Sequence, residues 1–311
     1  MFQTSCDDIK DIAQIFNDHY GFKCIQKTFI LNDGHYLACG FQIQGKFISL
    51  PLFDFGIVNK ISVDAATRLP RVGKNDVIKF VESFNCPAEI TLNSITTKAT
   101  FVLNTDRLFS DFLSSLKSKR RSQLKNIKQK YHFDISVKDD INLEKFYFLY
   151  LTKIRDLASI PFKKLFFKDI LKMPNSRLVI VTDLAGLVVA SSIVIEINNT
   201  AHIIWAVSAN FNNSNLFMYR EVIRHYCDHK NITEFNFGRA TINSSQYDFK
   251  KKFGARELKI YYSNSNNSNS NNSNSQKYFY YFLKFSKFFY RALPLIIIER
   301  LGGVLMRFFI R

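Results

Sequence analysis

The sequence lacks the motifs of several large enzyme classes. It contains no GxSxG nucleophile elbow, no GxxxxGK[ST] phosphate loop and no HExxH zinc helix, which argues against a serine hydrolase of that type, a P-loop NTPase or a zincin. His225 and His229 are four residues apart, but no thiol or carboxylate stands at a position that would complete a metal site. We therefore expect no metal and no tightly bound cofactor.

Long apolar runs and an export signal are also missing. The longest apolar run near the C-terminus, residues 293–298, is far shorter than the roughly 20 residues that a membrane-spanning helix needs. The N-terminal stretch MFQTSCDDIKDIAQIF is acidic where a signal peptide needs a basic flank. Five cysteines without a CxxC pair favour reduced thiols over disulfides or a zinc site. These features predict a cytoplasmic protein.

Acidic residues are few compared with basic ones. The chain has 26 Asp and Glu against 43 Lys and Arg, a formal net charge of +17. This excess points to an anionic partner such as nucleic acid, an acidic membrane surface or a phosphorylated substrate. A coding bias toward Asn, Lys, Ile and Phe explains the charge equally well. With 311 residues and 47% hydrophobic content, the chain can form one large or two modest domains.

Strand and helix patterns run twice along the chain. The first run has an amphipathic helix at about residues 7–20, a helix over VGKNDVIKFVESF, and the strands KCIQKTFIL, YLACGFQIQGKFISLPLF, AEITLNS and TKATFVLN. The second has the strands HFDISV, RLVIVTD, LVVASSIVIEI, AHIIWAVS, EFNFG and LKIYY. Its helices cover LEKFYFLYLTKIRDL, part of IPFKKLFFKDILK, and residues 215–229, and its turns lie at Ala185-Gly186 and Asn198-Asn199. This order predicts two similar α/β domains.

Five segments follow from this organisation. We expect an N-terminal domain at 1–106, a basic connecting helix at 107–130, a C-terminal domain at 131–262, a flexible Asn/Ser linker at 263–276 and an amphipathic tail at 277–311. In the tail, Lys277, Lys284, Lys287 and Arg291 share a helical face opposite several phenylalanines. The tail is expected to lie on the inner surface of the cell membrane. The alternative is a helical pair that folds back onto the domain.

The stretch FNFGRATINSSQYDFKKKFGARELKIYY, residues 235–262, places positive charge and hydroxyl groups beside a hydrophobic strand. From spacing alone, Lys250, Lys251 and Lys252 are typical of a solvated turn. The stretch also closes an ordered set of short motifs. The set comprises Trp205-Ala206, Asn215 before Met218-Tyr219, Phe235 to Arg239, and Tyr247-Asp248-Phe249-Lys250 through Gly254-Ala255.

In this order the motifs resemble the second domain of FemAB-like acyltransferases, a BioF2-like acetyltransferase domain. The branch they resemble most is associated with exosortase/PEP-CTERM exopolysaccharide systems. The similarity extends to KSKRRSQLKNIKQK, IRDLASIPFKKLFF, ISLPLFDFG and ALPLIIIERLGGVLMRF, so it covers most of the chain. The resemblance implies an α/β (α+β) fold of two tandem GNAT-like domains with mixed central sheets.

The resemblance also implies transfer of an acyl or aminoacyl group onto an amine or hydroxyl of a cell-envelope or exopolysaccharide precursor. The [QR]xxGx[GA] loop that holds coenzyme A in GNAT enzymes is replaced here by residues 209–214, which lack glycine. This favours aminoacyl-tRNA or another activated donor over acyl-CoA. The implied partners are the activated donor, an anionic glycan or peptidoglycan precursor, tRNA and the membrane surface.

The resemblance assigns roles to individual residues. Lys250 would stabilise negative charge on the carbonyl oxygen, and Tyr247 would orient the acceptor or relay a proton. Arg239 could hold a phosphate or carboxylate with two parallel hydrogen bonds. The resemblance names no general base, and Asp248 and Glu196 are the candidates, although an amine that is already deprotonated needs little help from a base. The remaining candidates for substrate binding are Phe249, Trp205, Asn215, Tyr219, Gly238, Arg120 and Arg121.

Two positions depart from the related pattern, which has Asp where Asn236 stands and usually glycine near Ala158. The basic segment that contains Arg120 and Arg121 could attract tRNA phosphates or a polyprenyl-diphosphate-linked glycan, or be an exposed helix face without a ligand. Two other functions stay open. One is a catalytically inactive GNAT-like scaffold of polysaccharide assembly, and the other is an RNA-binding module.

Overall fold

One mixed sheet connects the two halves of the chain. The computed structural model describes residues 9–31, 34–43, 45–49, 57–73, 76–81, 95–135, 139–209, 213–229, 231–264, 290–300 and 302. Thirteen strands in these residues form the sheet, and helices pack on both of its faces. The predicted α/β class is confirmed.

The strands pair mostly in the antiparallel direction. They are β1 Lys23–Leu31, β2 Gly34–Ile43, β3 Lys46–Ile48, β4 Ile57–Ile61, β5 Val77–Val81, β6 Ile95–Asn104, β7 Tyr131–Ile135, β8 Ser176–Asp183, β9 Val188–Ile197, β10 Thr200–Ser208, β11 Glu234–Asn236, β12 Ala240–Thr241 and β13 Arg256–Asn264. The order is β1-β2-β3-β5-β13-β6-β11-β10-β9-β8-β7, while β4 pairs with β2 and β12 with β6. Among these strands, β3–β5 and β10–β11 are the parallel pairs.

Two strands join the halves of the chain. β6, from the first 106 residues, pairs with β11 of the second half, and β13 lies between β5 and β6. Hydrogen bonding is therefore continuous across the boundary predicted at residue 106. The domain limits remain a prediction from the sequence.

The helices cover both faces of the sheet. They are α1 Lys10–Tyr20, α2 Val63–Thr67, α3 Phe109–Ser115, α4 Ser118–Asn126, α5 Asp140–Leu157, α6 Lys164–Lys172, α7 Ser214–Asp228 and α8 Ser245–Lys251. Alternate residues of β8 and β9 enter two different cores, as the pleat of a strand requires. Leu178 and Ile180 pack with α1, α5 and α6, whereas Val179 and Val181 pack with α3, α4 and α7. We name these the first and second core.

Three local predictions differ from the structure. Residues 77–81, predicted to be helical, form β5, since Ile78 and Val81 are buried and the strand pairs with β3 and β13. The segment 107–130 is two helices and a short 3₁₀ turn, because Leu116 is extended with ψ 151°. The stretch 245–251 is a helix, which its spacing did not predict. The predicted strand AEITLNS lies outside the described residues.

Positive φ angles explain one departure from the family pattern. Ala158 ends α5 in the left-handed conformation, with φ 49°. Glycine adopts this conformation without steric cost, which accounts for the glycine usual in related sequences. Asn198, in the predicted turn between β9 and β10, is also left-handed, with φ 53°, and asparagine tolerates this conformation well. Both predicted turns of this region are confirmed.

The described part of the tail packs on the domain. Tyr290 donates a hydrogen bond to the Ser159 carbonyl at 2.7 Å, and Arg291 to the Asp156 carbonyl at 2.8 Å. Ile298 is fully buried. Burial and the nearby carboxylate of Glu299 raise the pKa of Tyr147 in α5. Residues 290–300 thus follow the fold-back alternative, and the tail residues 277–289 lie outside the described part.

Two further sequence expectations concern membrane spans and cysteines. In the part of the chain that the structure describes, no helix is long and apolar enough to cross a bilayer. Cys24 and Cys227 are free thiols, as expected. Cys39 is disulfide-bonded, so the prediction of reduced thiols is wrong for this residue. A disulfide depends on the distance between two cysteines in the fold, which their spacing along the chain does not give.

Candidate active site

Of three consecutive lysines at the end of α8, one is buried and two are exposed. Ser244 begins the helix, and its hydroxyl accepts a hydrogen bond from the Tyr247 amide. Tyr247 and Lys250, three residues apart, face the sheet and are buried, whereas Asp248, Lys251 and Lys252 are exposed. The prediction of solvated lysines therefore holds for Lys251 and Lys252, but not for Lys250.

The ammonium of Lys250 is fixed at a turn of the backbone. The residue is 7% exposed, and its Nζ donates to the carbonyls of Gly238 at 2.7 Å and Arg239 at 2.9 Å. A buried ammonium is stable only where such acceptors offset its lost hydration. The turn thus holds a positive charge at the end of β11, in the middle of the sheet.

The turn itself requires glycine. Gly238 has φ +73°, and a Cβ added there would lie 2.9 Å from the Ile203 carbonyl oxygen and 3.7 Å from Lys250 Nζ. Asn236 Oδ1 accepts hydrogen bonds from the Gly238 amide and the Thr100 hydroxyl, both at 2.8 Å. An aspartate could accept the same two bonds, so the Asn236 departure preserves this part of the geometry.

Aromatic rings and a buried arginine lie behind Lys250. The guanidinium of Arg120, in α4, is 4.3 Å from the ring centre of Phe253 and 5.1 Å from that of Phe249. Arg120 is 9% exposed, and burial lowers its pKa to about 10. Its Nε and Nη2 are buried without a hydrogen-bond partner among the described residues. Tyr219 packs edge-on against Phe249, so these residues form one cluster in the second core.

Tyr247 has a partner that the sequence did not reveal. Its hydroxyl donates to Glu257 Oε2 at 2.6 Å, and the hydrogen bond to this carboxylate, together with burial, raises the pKa of Tyr247 to about 12. Lys251 Nζ lies 3.9 Å from the same carboxylate oxygen. Glu257 is in β13, ten residues beyond Tyr247, and no motif marks it. The phenol is a hydrogen-bond donor at neutral pH, which is the form that a proton relay needs.

Other predicted site residues lie in different surroundings. Trp205 is in the first core, where it packs edge-on against Phe162, Phe166 and Phe167. Lys250 belongs to α8, which lies on the side of the sheet that carries the second core. Asn215 is half-buried in the first turn of α7. The structure therefore brings Gly238, Arg239, Tyr247, Phe249, Lys250, Tyr219 and Arg120 together, but places Trp205 in a separate aromatic cluster.

Three tyrosine hydroxyls bond to the backbone of residues 162 and 163, beside Trp205 in the first core. Tyr150 accepts from the Phe162 amide at 2.9 Å, Tyr147 donates to the Phe162 carbonyl at 3.1 Å, and Tyr20 accepts from the Lys163 amide at 3.0 Å. Burial raises the pKa of all three tyrosines. These hydroxyls satisfy the backbone of the loop before α6.

The remaining polar candidates are engaged elsewhere or exposed. Arg121 donates to the Ser114 carbonyl at 3.1 Å. Glu196 accepts from Tyr226 and pairs with Arg177, each at 3.0 Å. His229 bonds to the His225 carbonyl, and burial lowers the pKa of His225 to about 4. Across the described residues, no group of three metal-ligating side chains occurs.

Comparison with known proteins identifies the fold. No protein-family model matches the sequence, and no curated protein matches it. FemX aligns over 80% of this chain and 90% of its own, with a TM-score of 0.54 and 11% identity. L-PGS from Bacillus licheniformis aligns over 84% of this chain and 93% of its own, with a TM-score of 0.51 and 12% identity. The chain therefore has the fold of FemX, and its resemblance to FemAB-like proteins is confirmed at the level of the fold.

Proposed function

We propose that this protein is an acyltransferase that moves an acyl or aminoacyl group onto an amine or hydroxyl of a cell-envelope or exopolysaccharide precursor. The observation that carries the proposal is the buried Lys250 ammonium, held at the Gly238–Arg239 turn. A fixed cation needs no reorganisation when charge develops beside it, which is how such groups lower the barrier of acyl transfer.

In the proposed reaction, the acceptor nitrogen or oxygen attacks the carbonyl carbon of the donor. The carbonyl oxygen becomes negative in the tetrahedral intermediate, and Lys250 stabilises it. The bond from the carbonyl carbon to the leaving oxygen or sulfur then breaks, and the acceptor's proton passes to the leaving group. Tyr247, protonated at neutral pH and bonded to Glu257, can assist this proton transfer. The donor is an aminoacyl-tRNA or an acyl-CoA.

Mass spectrometry of lipid-linked glycan and peptidoglycan precursors tests the proposal. Cells carry the wild type, a deletion, Lys250→Ala, or the matched control Lys252→Ala, whose lysine is two residues away but exposed. We expect an acyl or aminoacyl adduct to vanish in the deletion and fall by about 10²-fold or more in Lys250→Ala, as for the loss of one oxyanion donor. The control variant should retain the adduct.

A scaffold without catalysis is the second candidate. The same two hydrogen bonds favour it, because a lysine that donates to two carbonyls also fixes the turn. If Lys250→Ala folds and leaves the adduct at the wild-type level, the transferase proposal is wrong. An unchanged precursor pool in the deletion strain would leave the scaffold as the better explanation.

We also propose that the protein works at the inner surface of the cell membrane. On the packed tail, Ile296 is 59% and Ile297 40% exposed, and the exposed Arg291 and Arg300 lie on the same short segment. Apolar and basic side chains together suit an anionic lipid surface. Flotation with phosphatidylglycerol vesicles should weaken when Ile296 and Ile297 are replaced by serine. Replacement of Ile30, an equally exposed residue of β1, should have no effect.

A further inference from the structure

Glu257 lies on the same face of the sheet as the candidate site. It is directly opposite Phe101 in the antiparallel β6–β13 pair, and Phe101 belongs to the second core. Directly opposite residues of such a pair share a face, and this face is the one that α8 covers. The Tyr247 ring packs edge-on against Phe101, with 5.1 Å between the ring centres. From there the Tyr247 hydroxyl donates to Glu257 Oε2 at 2.6 Å.

The two groups of this hydrogen bond differ in their access to solvent. The Glu257 side chain is 28% exposed, whereas Tyr247 is 8% exposed. A phenol oxygen can accept a proton while its own proton is donated to a neighbour. The buried phenol is therefore suited to pass a proton on, and the partly exposed carboxylate is suited to receive it.

The phenol also has a defined relation to the Lys250 ammonium. Tyr247 and Lys250 are three residues apart on α8, and both are buried against the sheet. Lys250 bonds to the Gly238–Arg239 turn, which follows β11. The strands β11, β6 and β13 are consecutive in the sheet, so two strand spacings, about 10 Å, separate β11 from the strand of Glu257. One helix thus presents a cation at the first of these strands and a phenol at the last.

The carboxylates considered from the sequence have other surroundings. Asp248, the next residue after Tyr247, is exposed on α8. Glu196 accepts a hydrogen bond from Tyr226 and pairs with Arg177. The hydrogen bond of the Tyr247 phenol goes instead to Glu257, a residue of β13 that no motif marks.

We infer that Glu257 is the general base of the proposed transfer and receives the acceptor's proton through Tyr247. The inference rests on the proposed function. As the acceptor atom bonds to the carbonyl carbon, its proton moves to the phenol oxygen and the phenol proton moves to Glu257 Oε2. When the bond to the leaving group breaks, both transfers reverse, the leaving oxygen or sulfur takes the proton, and Glu257 is again a carboxylate. A hydroxyl acceptor gains most from this relay, because it keeps its proton until it attacks.

The adduct assay with Glu257→Gln tests the inference. Glutamine keeps an oxygen that accepts the Tyr247 hydrogen bond but is not a base, so a purely structural role would leave the adduct unchanged. We expect the adduct to fall by about 10²-fold or more, the usual contribution of a general base, and Glu257→Asp to recover part of it. Glu144→Gln, the same charge change at an exposed position of α5, should behave as the wild type does.

Nuclear magnetic resonance gives a second readout that needs no substrate. Carbon-13 at the hydroxyl-bearing ring carbon of tyrosine reports the ionisation of Tyr247, and Tyr247→Phe assigns the signal. The hydrogen bond to Glu257 and burial raise the pKa of Tyr247 to about 12 in the wild type. In Glu257→Gln this pKa should fall toward about 10, because the negative charge beside the phenol is lost. An unchanged titration of Tyr247 would overturn the inference.

A wild-type level of adduct in folded Glu257→Gln would also overturn it. If the adduct is at the same time lost in Lys250→Ala, the transferase proposal still stands. Should Glu257→Gln not fold, a wild-type level of adduct in Tyr247→Phe would overturn the inference instead. A fall in Asp248→Asn without a fall in Glu257→Gln would assign the base to Asp248.

Discussion

The two faces of the sheet both carry dense aromatic clusters, but the clusters differ in their polar groups. Around Trp205 in the first core, the polar atoms are neutral tyrosine hydroxyls that pair with the backbone at residues 162 and 163. Around Tyr219 and Phe249 in the second core, the polar groups are the cations Arg120 and Lys250. The tyrosine hydroxyls of the first core satisfy the backbone of the loop before α6, whereas the second core holds positive charge beside the Gly238–Arg239 turn. Buried charge, and not aromatic density, therefore distinguishes the candidate site.

The largest effect should come from the neutral cluster. Trp205→Ala would leave a cavity among Phe162, Phe166 and Phe167, and we expect the free energy of unfolding to fall by about 3–5 kcal/mol. Urea denaturation measures this loss, and the milder Trp205→Phe serves as the control. A loss below about 1 kcal/mol would contradict a packing role for Trp205.

In the charged cluster, we expect the free energy of unfolding to depend more on the volume of the side chain at position 120 than on its charge. Arg120→Ala removes packing and the contacts with Phe249 and Phe253, at a cost of about 2–3 kcal/mol in unfolding free energy. Arg120→Met keeps much of the volume and removes the buried Nε and Nη2, so its cost should stay within about 1 kcal/mol. Urea denaturation compares the two.

The neighbouring Arg121→Met is the control for this pair, since Arg121 is half-buried and bonds to a carbonyl of α3. Its unfolding free energy should change by less than about 0.5 kcal/mol. Equal losses in Arg120→Met and Arg120→Ala would show that the guanidinium charge itself is required.

A smaller, pH-dependent effect is expected at Tyr247. Tyr247→Phe removes the hydrogen bond to Glu257 and should cost about 1 kcal/mol at pH 8. The folded pKa of Tyr247, about 12, exceeds the unfolded value of about 10. The stabilisation is therefore complete below the unfolded value and is lost as pH rises through the folded one. Urea denaturation at pH 8 and pH 11 should show a smaller difference between wild type and Tyr247→Phe at the higher pH. A constant difference would contradict this assignment.

The smallest effect, of opposite sign, is expected at the end of α5. Ala158→Gly should raise the free energy of unfolding by about 0.5–1 kcal/mol, because glycine adopts a φ of 49° without steric cost. Ala185→Gly, at an exposed turn position without positive φ, should be neutral or slightly destabilising. Thermal unfolding resolves both. If Ala158→Gly lowers the free energy of unfolding, the packing of the Ala158 methyl group contributes more than the strain of the positive φ angle costs.

Several elements could be predicted because their signals are local. The strands of the second half have apolar runs bounded by turn residues, and β8, β9 and β10 lie where those runs predict them. The motif order also predicted a FemAB-like fold, which the FemX alignment confirms. The helix predicted over 72–84 was wrong at β5, where pairing with distant strands outweighed local periodicity.

The α/β class, the strand-rich second half and the motif that contains Lys250 follow from the amino-acid sequence alone. The fold was needed to show which of three consecutive lysines is buried, that Arg120 of a basic helix lies among aromatic rings, and that Glu257 bonds to Tyr247. The fold was also needed to place β13 between β5 and β6. Propensity and periodicity act over one or two turns of the chain, whereas burial and charge pairing depend on residues brought together from distant parts of it.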